Sequence, residues 1–555
     1  MFKPFANLLF ALLRYLAIGL LGFVIGVILL YGAWLRSGPA LEPWHRVELT
    51  EEFTANQAER IRTMEDYWAL EERLFAELDA KIYDRNAAPT GAGTWAATLF
   101  PNREPDHLPE PLGEVSADPL RLERALLRYS PGSAADPRGR ETNWNRSFEL
   151  SAEAPLGSVL LLHGMSDSPY SLRALGEALH ARGFTVLGLR LPGHGTAPSG
   201  LLRLTWEDLR AATRIGLRHL AATVSNGEGP LPIHVMGYST GAALAVEAAL
   251  DRRDDDTLPA ITSLVLVSPA IGISPAAGVT RWLNLLSLFP GFSQAAWTAI
   301  MPEFDPFNYN SFSANAALQV HRVTRAVATR LRTLSAEAPL ADFPPTLVLL
   351  STVDTAVSPD AVVDTLFNRL APDRHALVLY DINRFALTTP ILVRDPAPFT
   401  DRLLADPGLP FTLTLVTNAN ADRRAMVALT KAPGTAKVTD TEPLAATWPA
   451  DAISLSHVDP PFPPDDPLYG RCPPEPDGRV CFGGLALRGE RGVIKIPAQW
   501  LMRLRYNPFY DYQERRVLDW VLAANGGGED ARPNVPEEWR EEAPEESPEE
   551  SPDTP

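Results

Sequence analysis

The chain has 555 residues, of which 45% are apolar and 21% are charged. These proportions are ordinary for a globular protein, so collagen-like and wholly disordered chains are excluded, and the length allows one large domain with insertions or two or three ordinary ones. The formal net charge is −18 and no basic patch stands out, so the sequence gives no support for a nucleic-acid-binding protein.

An uncharged apolar stretch near the N-terminus, "YLAIGLLGFVIGVILLYGAWL", covers residues 15–35. Its roughly 20 residues would span about 30 Å as a helix, the thickness of the bilayer core. A cleaved signal peptide is the alternative, but its apolar region would be short and end in small residues, whereas this one ends in Trp34, Leu35 and Arg36. We therefore predict that residues 1–36 form an uncleaved membrane anchor. Lys and Arg on the two flanks favour an inside N-terminus only weakly, and we expect the remaining chain on the extracytoplasmic, periplasmic side.

Residues 37–146 are predicted to be an N-terminal extension of the main domain. The stretch 50–84 is charged, with apolar positions at helical spacing, and we expect a helix that packs on that domain. Residues 85–140 are rich in Pro, Gly and Asp and indicate a long connection with one helix near 120–129.

From residue 147 onward, short apolar runs alternate with amphipathic stretches. The apolar runs are "SVLLLHG", "FTVLGLRL", "IHVMG", "SLVLVSP", "PTLVLLSTVD" and "HALVLYD". Nearly continuous apolar strands separated by helices predict a mostly parallel sheet covered by helices on both faces, an α/β fold that we assign to residues 147–525. Aromatic-rich material at 271–343 interrupts this rhythm after a strand, above the edge where open sheets bind ligands, and we predict a helical lid there.

The segment "VMGYSTGAAL" places Ser239 between an apolar strand and an alanine-rich helix. A turn this tight brings the two backbones together, so Gly237 and Gly241 have hydrogen where other residues have a side chain. Taken alone, Gly-x-Ser-x-Gly could be a loop and helix cap. Because strand and helix flank it, we predict that Ser239 is a nucleophile.

A serine hydroxyl needs a neighbouring base, and the chain order Ser, acid, His restricts the choice. His321 lies in the predicted lid and His375 begins a strand, so His457 in "SLSHVDPPF" remains, with a plain surface histidine as its alternative. Asp354, just after the strand "LVLLS", is the predicted acid, which would fix the imidazole tautomer. Helix capping, the rival role for Asp354, is already supplied by Ser358 before Pro359. The lesser candidates for the acid are Asp381 and Asp459.

An acyl-transfer oxyanion needs preorganised N–H donors. The amide of Thr240, at the head of the helix, is one predicted donor, and the amide of Met165, after "LLLHG", is the other. His163, Gly164 and His194 are expected to shape their loops rather than to act in catalysis.

Four motifs together, "LLLHGMSDSPYSLRALGEALHARGFTVLGLRLPGHGTAPSG", "VMGYSTG", "STVDTAVSP" and "SLSH", resemble the α/β-hydrolase superfamily over about residues 147–520, nearest to its monoacylglycerol-lipase, carboxylesterase and serine-aminopeptidase-like branches. The resemblance implies Ser239, Asp354 and His457 as the triad and Met165 and Thr240 as oxyanion donors. One departure is that Asp354 and His457 lie 103 positions apart, farther than is usual in the family. We therefore expect an insertion at about 384–450.

The predicted function is hydrolysis of carboxylic, acyl or lipid-like esters through an acyl-enzyme, with no cofactor, no metal and no nucleic-acid partner. A peptidase or amidase, an acyltransferase, and a catalytically silent binding module are the alternatives.

Two remaining features lie near the C-terminus. Cys472 and Cys481, in "CPPEPDGRVC", suit a short disulfide-closed loop in an oxidising compartment, and two thiols alone make a poor zinc site. Residues 526–555 are acidic and poor in apolar residues, so we predict a disordered, solvated tail, with an interaction tail as the alternative.

Overall fold

The computed structural model describes residues 13–16, 18–20, 22, 26, 38–84, 126–225, 230–272, 286–287, 292–372, 374–385, 395–449, 452–473, 481–483 and 504–526. Within these ranges, no helix is both long enough and apolar enough to cross a bilayer. Much of the predicted anchor, most of the 85–140 connection, part of the predicted lid and almost all of the acidic tail lie outside the described residues.

A ten-stranded sheet forms the centre of the molecule, in the order β1-β3-β2-β4-β5-β8-β9-β10-β11-β12. The strands are β1 Phe148–Leu150, β2 Gly157–Leu162, β3 Phe184–Leu189, β4 Ile233–Tyr238, β5 Ser263–Val267, β6 Trp297–Ala299, β7 Phe312–Ser313, β8 Thr346–Ser351, β9 His375–Tyr380, β10 Thr412–Asn418, β11 Met426–Lys431 and β12 Asp440–Leu444. Strands β6 and β7 form a separate two-stranded antiparallel sheet. In the ten-stranded sheet, the seven strands β3, β2, β4, β5, β8, β9 and β10 run parallel, while β1 at one edge and β11 and β12 at the other pair antiparallel. The predicted α/β fold with a mostly parallel sheet is confirmed.

Helices cover both faces of this sheet. They are α1 Pro43–Arg46, α2 Met64–Leu78, α3 Arg173–His180, α4 Trp206–Thr223, α5 Thr240–Asp254, α6 Ala314–Leu334, α7 Pro359–Thr365, α8 Ala397–Ala405 and α9 Tyr510–Ala524. Helices α4, α5 and α6 contribute to one hydrophobic core, and α3 and α9 to the other. Because central strands such as β2, β4 and β8 are buried along their whole length, each contributes side chains to both cores.

The N-terminal extension packs on the sheet's helical layer, as predicted, although its helix is shorter than expected. Helix α2 starts only at Met64, where Thr63 and Asp66 form a reciprocal capping box, and a π-helical turn follows it. Phe53, Tyr67 and Leu70 are buried in the α4–α6 core. The extension is therefore part of the same packed domain.

The helical prediction is wrong for residues 297–313, which form β6, β7 and the loop between them. In that loop, carboxylates accept backbone N–H groups a few residues ahead, an arrangement that competes with helix formation. Helix α6, also inside the predicted lid, packs on α5 and buries Val323, Val327 and Leu331 in the core. Its Thr324 hydroxyl also donates to the Ala270 carbonyl, just after the end of β5, at 2.6 Å. Residues 273–285 and 288–291 of the predicted lid lie outside the described residues.

The predicted insertion at 384–450 extends the sheet. Helix α8 leads into β10, which pairs parallel with β9, and β11 and β12 then add two antiparallel strands. The chain therefore travels to the far edge of the sheet between Asp354 and His457.

Candidate active site

Ser239 sits on a sharp turn between β4 and α5, as its motif predicts. Its φ of 54° is in the left-handed region that non-glycine residues seldom adopt. The Ser239 N–H donates to the Val267 carbonyl at 2.9 Å, and its carbonyl accepts from the Ala270 N–H at 2.9 Å. A Cβ on Gly237 or Gly241 would collide with backbone atoms of the turn or of β2, so both positions require glycine.

His457 lies between Ser239 and Asp354 and contacts both. Its Nε2 is 2.9 Å from Ser239 Oγ, and its Nδ1 is 2.7 Å from Asp354 Oδ2. The other carboxylate oxygen of Asp354 accepts the N–H groups of Ala356 and Val357 at 2.8 and 2.9 Å. With the Asp354 side chain fully buried and doubly anchored, the imidazole is held with Nδ1–H toward the carboxylate and Nε2 free to accept the serine proton.

The segment that brings His457 back is extended but is not a strand. Hydrogen bonds hold this segment at the carboxyl ends of β8 and β9. The Ser351 hydroxyl, at the end of β8, donates to the Leu455 carbonyl at 2.9 Å. Just after β9, the Asn383 side chain donates to the Ala452 carbonyl at 3.0 Å, and its N–H donates to the Ile453 carbonyl at 2.7 Å. These contacts return the chain from the far sheet edge to Ser239.

The two lesser candidates for the acid have other partners. Asp381 pairs with Arg384 and accepts the Thr417 hydroxyl at 2.8 Å. Asp459 is fully buried and accepts both the N–H and the hydroxyl of Ser456. Asp381 therefore braces the sheet edge and Asp459 braces the loop beside His457.

The loop after β2, residues 163–168, is called the oxyanion loop below. Gly164 lies close to the turn at Ser239 between β4 and α5, which we call the elbow. A Cβ on Gly164 would be 3.3 Å from Ser239 Cβ. Met165 is the next residue along this loop, and its role as a donor stays a prediction. Thr240 is the first residue of α5, where a helix N–H has no intrahelical acceptor.

His163 and His194 are buried, and both have structural partners. His163 Nε2 accepts the Leu191 N–H at 3.0 Å, and its Nδ1 lies 2.9 Å from the Gly164 carbonyl oxygen. Burial lowers the pKa of His163 well below its usual value and that of His194 to about 4. Both rings are thus neutral at physiological pH and hold loops in place, as predicted.

Asp167, in the oxyanion loop, is a buried carboxyl, and within the described ranges no cation lies at hydrogen-bond distance from it. Burial raises its pKa to about 8, the nearby Asp305 adds to the rise, and the more distant Arg505 and hydrogen bonds from Ser168 and Ser171 oppose it. The carboxyl is therefore mostly protonated at neutral pH.

We expect Asp167→Asn to change the pH dependence of stability. Because the pKa of Asp167 is raised in the folded state, the carboxyl ionises in the unfolded chain between about pH 4 and pH 8 while it stays protonated in the folded protein. The free energy of unfolding therefore falls progressively over this pH range. The variant should gain stability relative to the wild type as pH rises from 5 to 8, by at most about 1.4 kcal/mol per pH unit. Urea unfolding of both proteins at pH 5, 6.5 and 8 measures the difference, and a constant difference would contradict a raised pKa.

The predicted disulfide between Cys472 and Cys481 is present. It lies in the segment after His457, where the Phe482 N–H donates to the Leu468 carbonyl at 2.6 Å. Among the residues that the structure covers, no group of three or more His, Cys, Asp or Glu side chains could hold a metal ion.

A groove of about 760 Å³ lies on the helical face between α4, α5 and α6, lined by residues such as Trp206, Leu318 and Arg325. Ser239, His457 and Asp354 do not line this groove. We place the candidate site at the elbow, because the hydrogen-bonded groups capable of acyl transfer are there.

Sequence reasoning missed the residues that support the site. Ser351 and Asn383 hold the His457 segment, and Asn308 and Tyr309 contact the oxyanion loop. Their partners are distant in sequence, and no local motif marks them. Only the position of Ser351 and Asn383 next to strand ends could have drawn attention to them.

The mostly parallel sheet and the sharp turn at Ser239 are the features that the resemblance to the α/β-hydrolase superfamily predicts. Residues 153–384 match the family model described as "Serine aminopeptidase, S33". This confirms the resemblance to the serine-aminopeptidase-like branch for that segment.

Two curated relatives match parts of the chain. The thermostable monoacylglycerol lipase of Bacillus sp. (strain H-257) is 35% identical over 127 residues, which is 23% of this chain and 46% of that protein. The magnesium-chelatase 30 kDa subunit of Rhodobacter capsulatus is 34% identical over 103 residues, 18% of this chain and 32% of that protein. The chain thus matches less than half the length of either relative.

Solved structures that align with part of this chain include one from a study of the metagenome-derived lipolytic enzymes LipS and LipT, at 21% identity and a TM-score of 0.33, covering 43% of this chain and 89% of that one. The monoacylglycerol lipase of Paleococcus ferrophilus gives 18% identity and a TM-score of 0.32, covering 42% and 88%.

Proposed function

We propose that the protein is a serine hydrolase that cleaves carboxylic esters through an acyl-enzyme intermediate. The observation that carries the proposal is the continuous hydrogen-bonded series from the Ser239 hydroxyl through the His457 ring to the buried Asp354 carboxylate. That order supplies nucleophile, general base and orienting acid.

In the first half-reaction, Ser239 Oγ attacks the ester carbonyl carbon while His457 Nε2 takes the hydroxyl proton. Asp354 stays ionised and stabilises the imidazolium. The negative charge on the carbonyl oxygen is stabilised by the amides of Thr240 and Met165. When the tetrahedral intermediate collapses, the ester C–O bond breaks and His457 gives its proton to the leaving alkoxide, which departs as the alcohol.

In the second half-reaction, a water molecule attacks the acyl-enzyme. His457 removes a proton from the water and then returns a proton to Ser239 Oγ as the carboxylic acid leaves. No step uses a cofactor.

Lipid-like acyl esters are the proposed substrates. The similarity to a protein named as a monoacylglycerol lipase supports this class, while the aminopeptidase description of the matching family model favours amides as the second candidate. Esters, amides and acyl transfer share one acyl-enzyme, so they are separated by substrate and not by the triad.

A fluorophosphonate probe tests the proposal, because it reacts with activated serines and reports the labelled residue by mass spectrometry. We expect a single adduct on Ser239. In a separate substrate panel, the unlabelled enzyme should hydrolyse acylglycerols or p-nitrophenyl acyl esters. Cleavage of aminoacyl amides alone would favour the peptidase. Absence of both labelling and turnover would leave the silent binding module.

We also propose that residues 15–35 anchor the protein in a membrane with the catalytic domain outside the cytoplasm. The uncharged stretch and the Cys472–Cys481 disulfide support this, since structural disulfides persist in oxidising compartments.

Two measurements check the location. A reporter that is active only in the cytosol, fused after residue 525, should be silent, and protein taken from its native compartment should show no free thiol at Cys472 or Cys481. An active reporter together with free thiols would reverse the assignment.

A further inference from the structure

Residues 303–311, which we call the clamp segment, contact the oxyanion loop at Ser166. The Tyr309 N–H donates to the Ser166 carbonyl at 2.8 Å, and the Ser166 hydroxyl donates to Asn308 Oδ1 at 3.3 Å. Ser166 has a φ of 67°, a left-handed conformation that a serine keeps only when its surroundings impose it. Both contacts are made one residue away from Met165.

Two buried carboxylates fix the shape of the clamp segment. Asp305 Oδ1 accepts the N–H groups of Phe307 and Asn308 at 2.9 and 3.0 Å. Glu303 accepts those of Asn310 and Ser311, both at 2.8 Å. Four backbone N–H groups are therefore held by side chains within the segment, and Tyr309 lies between the pair held by Asp305 and the pair held by Glu303.

Asp305 also connects the clamp segment to the chain that follows His457. Both its oxygens lie within 2.8 Å of the Tyr469 hydroxyl, which donates to the carboxylate. The Arg505 guanidinium lies 3.7 Å from Asp305 and 4.8 Å from the centre of the Tyr469 ring, so the buried negative charge has a cation beside it.

A second contact joins the residues that follow His457 to the region just after the oxyanion loop. The Tyr170 hydroxyl donates to Asp466 at 2.9 Å, and Arg173 lies 3.3 Å from that carboxylate. The clamp segment and the chain that follows His457 are thus in contact, and each also contacts the oxyanion loop or the residues just after it.

We propose that Asn308 and Asp305 are positioning residues that hold the Met165 amide toward the reacting oxygen, an inference that rests on the proposed function. Neither residue touches the triad. A donor stabilises the oxyanion only if it is already aimed at the place where the charge develops, and a shift of about 1 Å can cost on the order of 10²-fold in rate. Since Ser166 is strained, the loop would relax without its partners.

The first test is Asn308→Ala, which removes the acceptor for the Ser166 hydroxyl. We expect kcat for a p-nitrophenyl ester to fall about tenfold with KM within about twofold, because the lost effect acts in the transition state. Asn308→Asp keeps an acceptor oxygen and should restore most of kcat. Asn315→Ala is the matched control: its side chain donates to the Leu201 and Leu204 carbonyls at 2.9 and 2.8 Å, away from the site, and kcat should be unchanged.

A second pair of variants tests Asp305 without removing its charge. Tyr469→Phe removes the hydroxyl that Asp305 accepts, whereas Tyr380→Phe removes an equally buried hydroxyl that donates to Gln513 at 2.9 Å. Both should lower the melting temperature by a few degrees. Only Tyr469→Phe should lower kcat, by severalfold, with little change in KM.

Hydrogen exchange of a peptide covering residues 163–172 gives a readout independent of turnover. Exchange should be faster in Asn308→Ala than in the wild type or in Asn315→Ala. Unchanged kcat and unchanged exchange would overturn the proposal, and a raised KM at constant kcat would make Asn308 a substrate-binding residue instead. If the wild type neither labels nor hydrolyses esters, the proposed function fails, while the exchange data still decide whether the clamp segment holds the loop.

Discussion

Ester hydrolysis should fall by about 10⁶-fold in kcat when Ser239 is replaced by alanine, leaving only the contribution of the oxyanion site and of substrate binding. The variant retains the elbow, because the turn is held by the Ser239 backbone N–H and carbonyl and by the two glycines, and not by the hydroxyl. The melting temperature should therefore stay within a few degrees of the wild type.

Hydrolysis of p-nitrophenyl esters and a thermal melt measure the two expectations together. Ser151→Ala is a suitable control, since it removes an exposed serine hydroxyl that donates to Glu149 far from the elbow in sequence. A wild-type rate in Ser239→Ala would place the nucleophile elsewhere, whereas an unfolded variant would show that the hydroxyl has a structural role.

The second large effect is expected for Asp354→Asn, at on the order of 10⁴-fold in rate. An asparagine at this position can keep its carbonyl oxygen on the Ala356 and Val357 N–H groups, so its NH₂ group would face His457 Nδ1. That nitrogen would then have to accept, the proton would move to Nε2, and the ring could no longer accept the proton of Ser239.

Asp381→Asn and Asp459→Asn are the matched controls for this experiment. Each changes a buried carboxylate to an amide, but Asp381 contacts Arg384 and Thr417, and Asp459 contacts Ser456. Both should lower stability and leave the rate within about tenfold of the wild type. If either control is inactive while Asp354→Asn stays active, the acid is misassigned, and the nucleophile and base could still be correct.

The turn at Ser239 and the position of Asp354 at a strand end could be predicted from sequence because their signals are local. A buried strand, two glycines that have no room for Cβ, and a helix with small residues are all encoded within ten positions of Ser239. Asp354 likewise follows its strand directly, and Ser358 visibly serves as the cap of the next helix. His457 carries no such local signal, and the contacts that hold its segment involve Ser351 and Asn383, which are far away in sequence.

The far side of the sheet could not be predicted in the same way. Strand β10 is apolar enough to be a strand, yet its place beside β9 depends on long-range pairing and on helix α8, neither of which leaves a local pattern. Residues 297–313 belong to the aromatic-rich stretch that the sequence analysis predicts to be a helical lid. Glu303 and Asp305 accept nearby backbone N–H groups instead, and this local competition is hard to read without the geometry.

Strands β10, β11 and β12 also determine which strand forms one edge of the sheet. A terminal strand with free N–H and C=O groups is a template on which another chain can add, the first step of intermolecular aggregation. Here one border is β1, with three residues, and the other is β12, with five. Strand β12 carries Asp440 and Glu442, and Pro443 has no N–H to offer. A ten-stranded sheet built in this way has a large buried interior and two short borders, of which β12 is charged and interrupted by proline, so the protein should resist self-association through strand addition even at high local concentration.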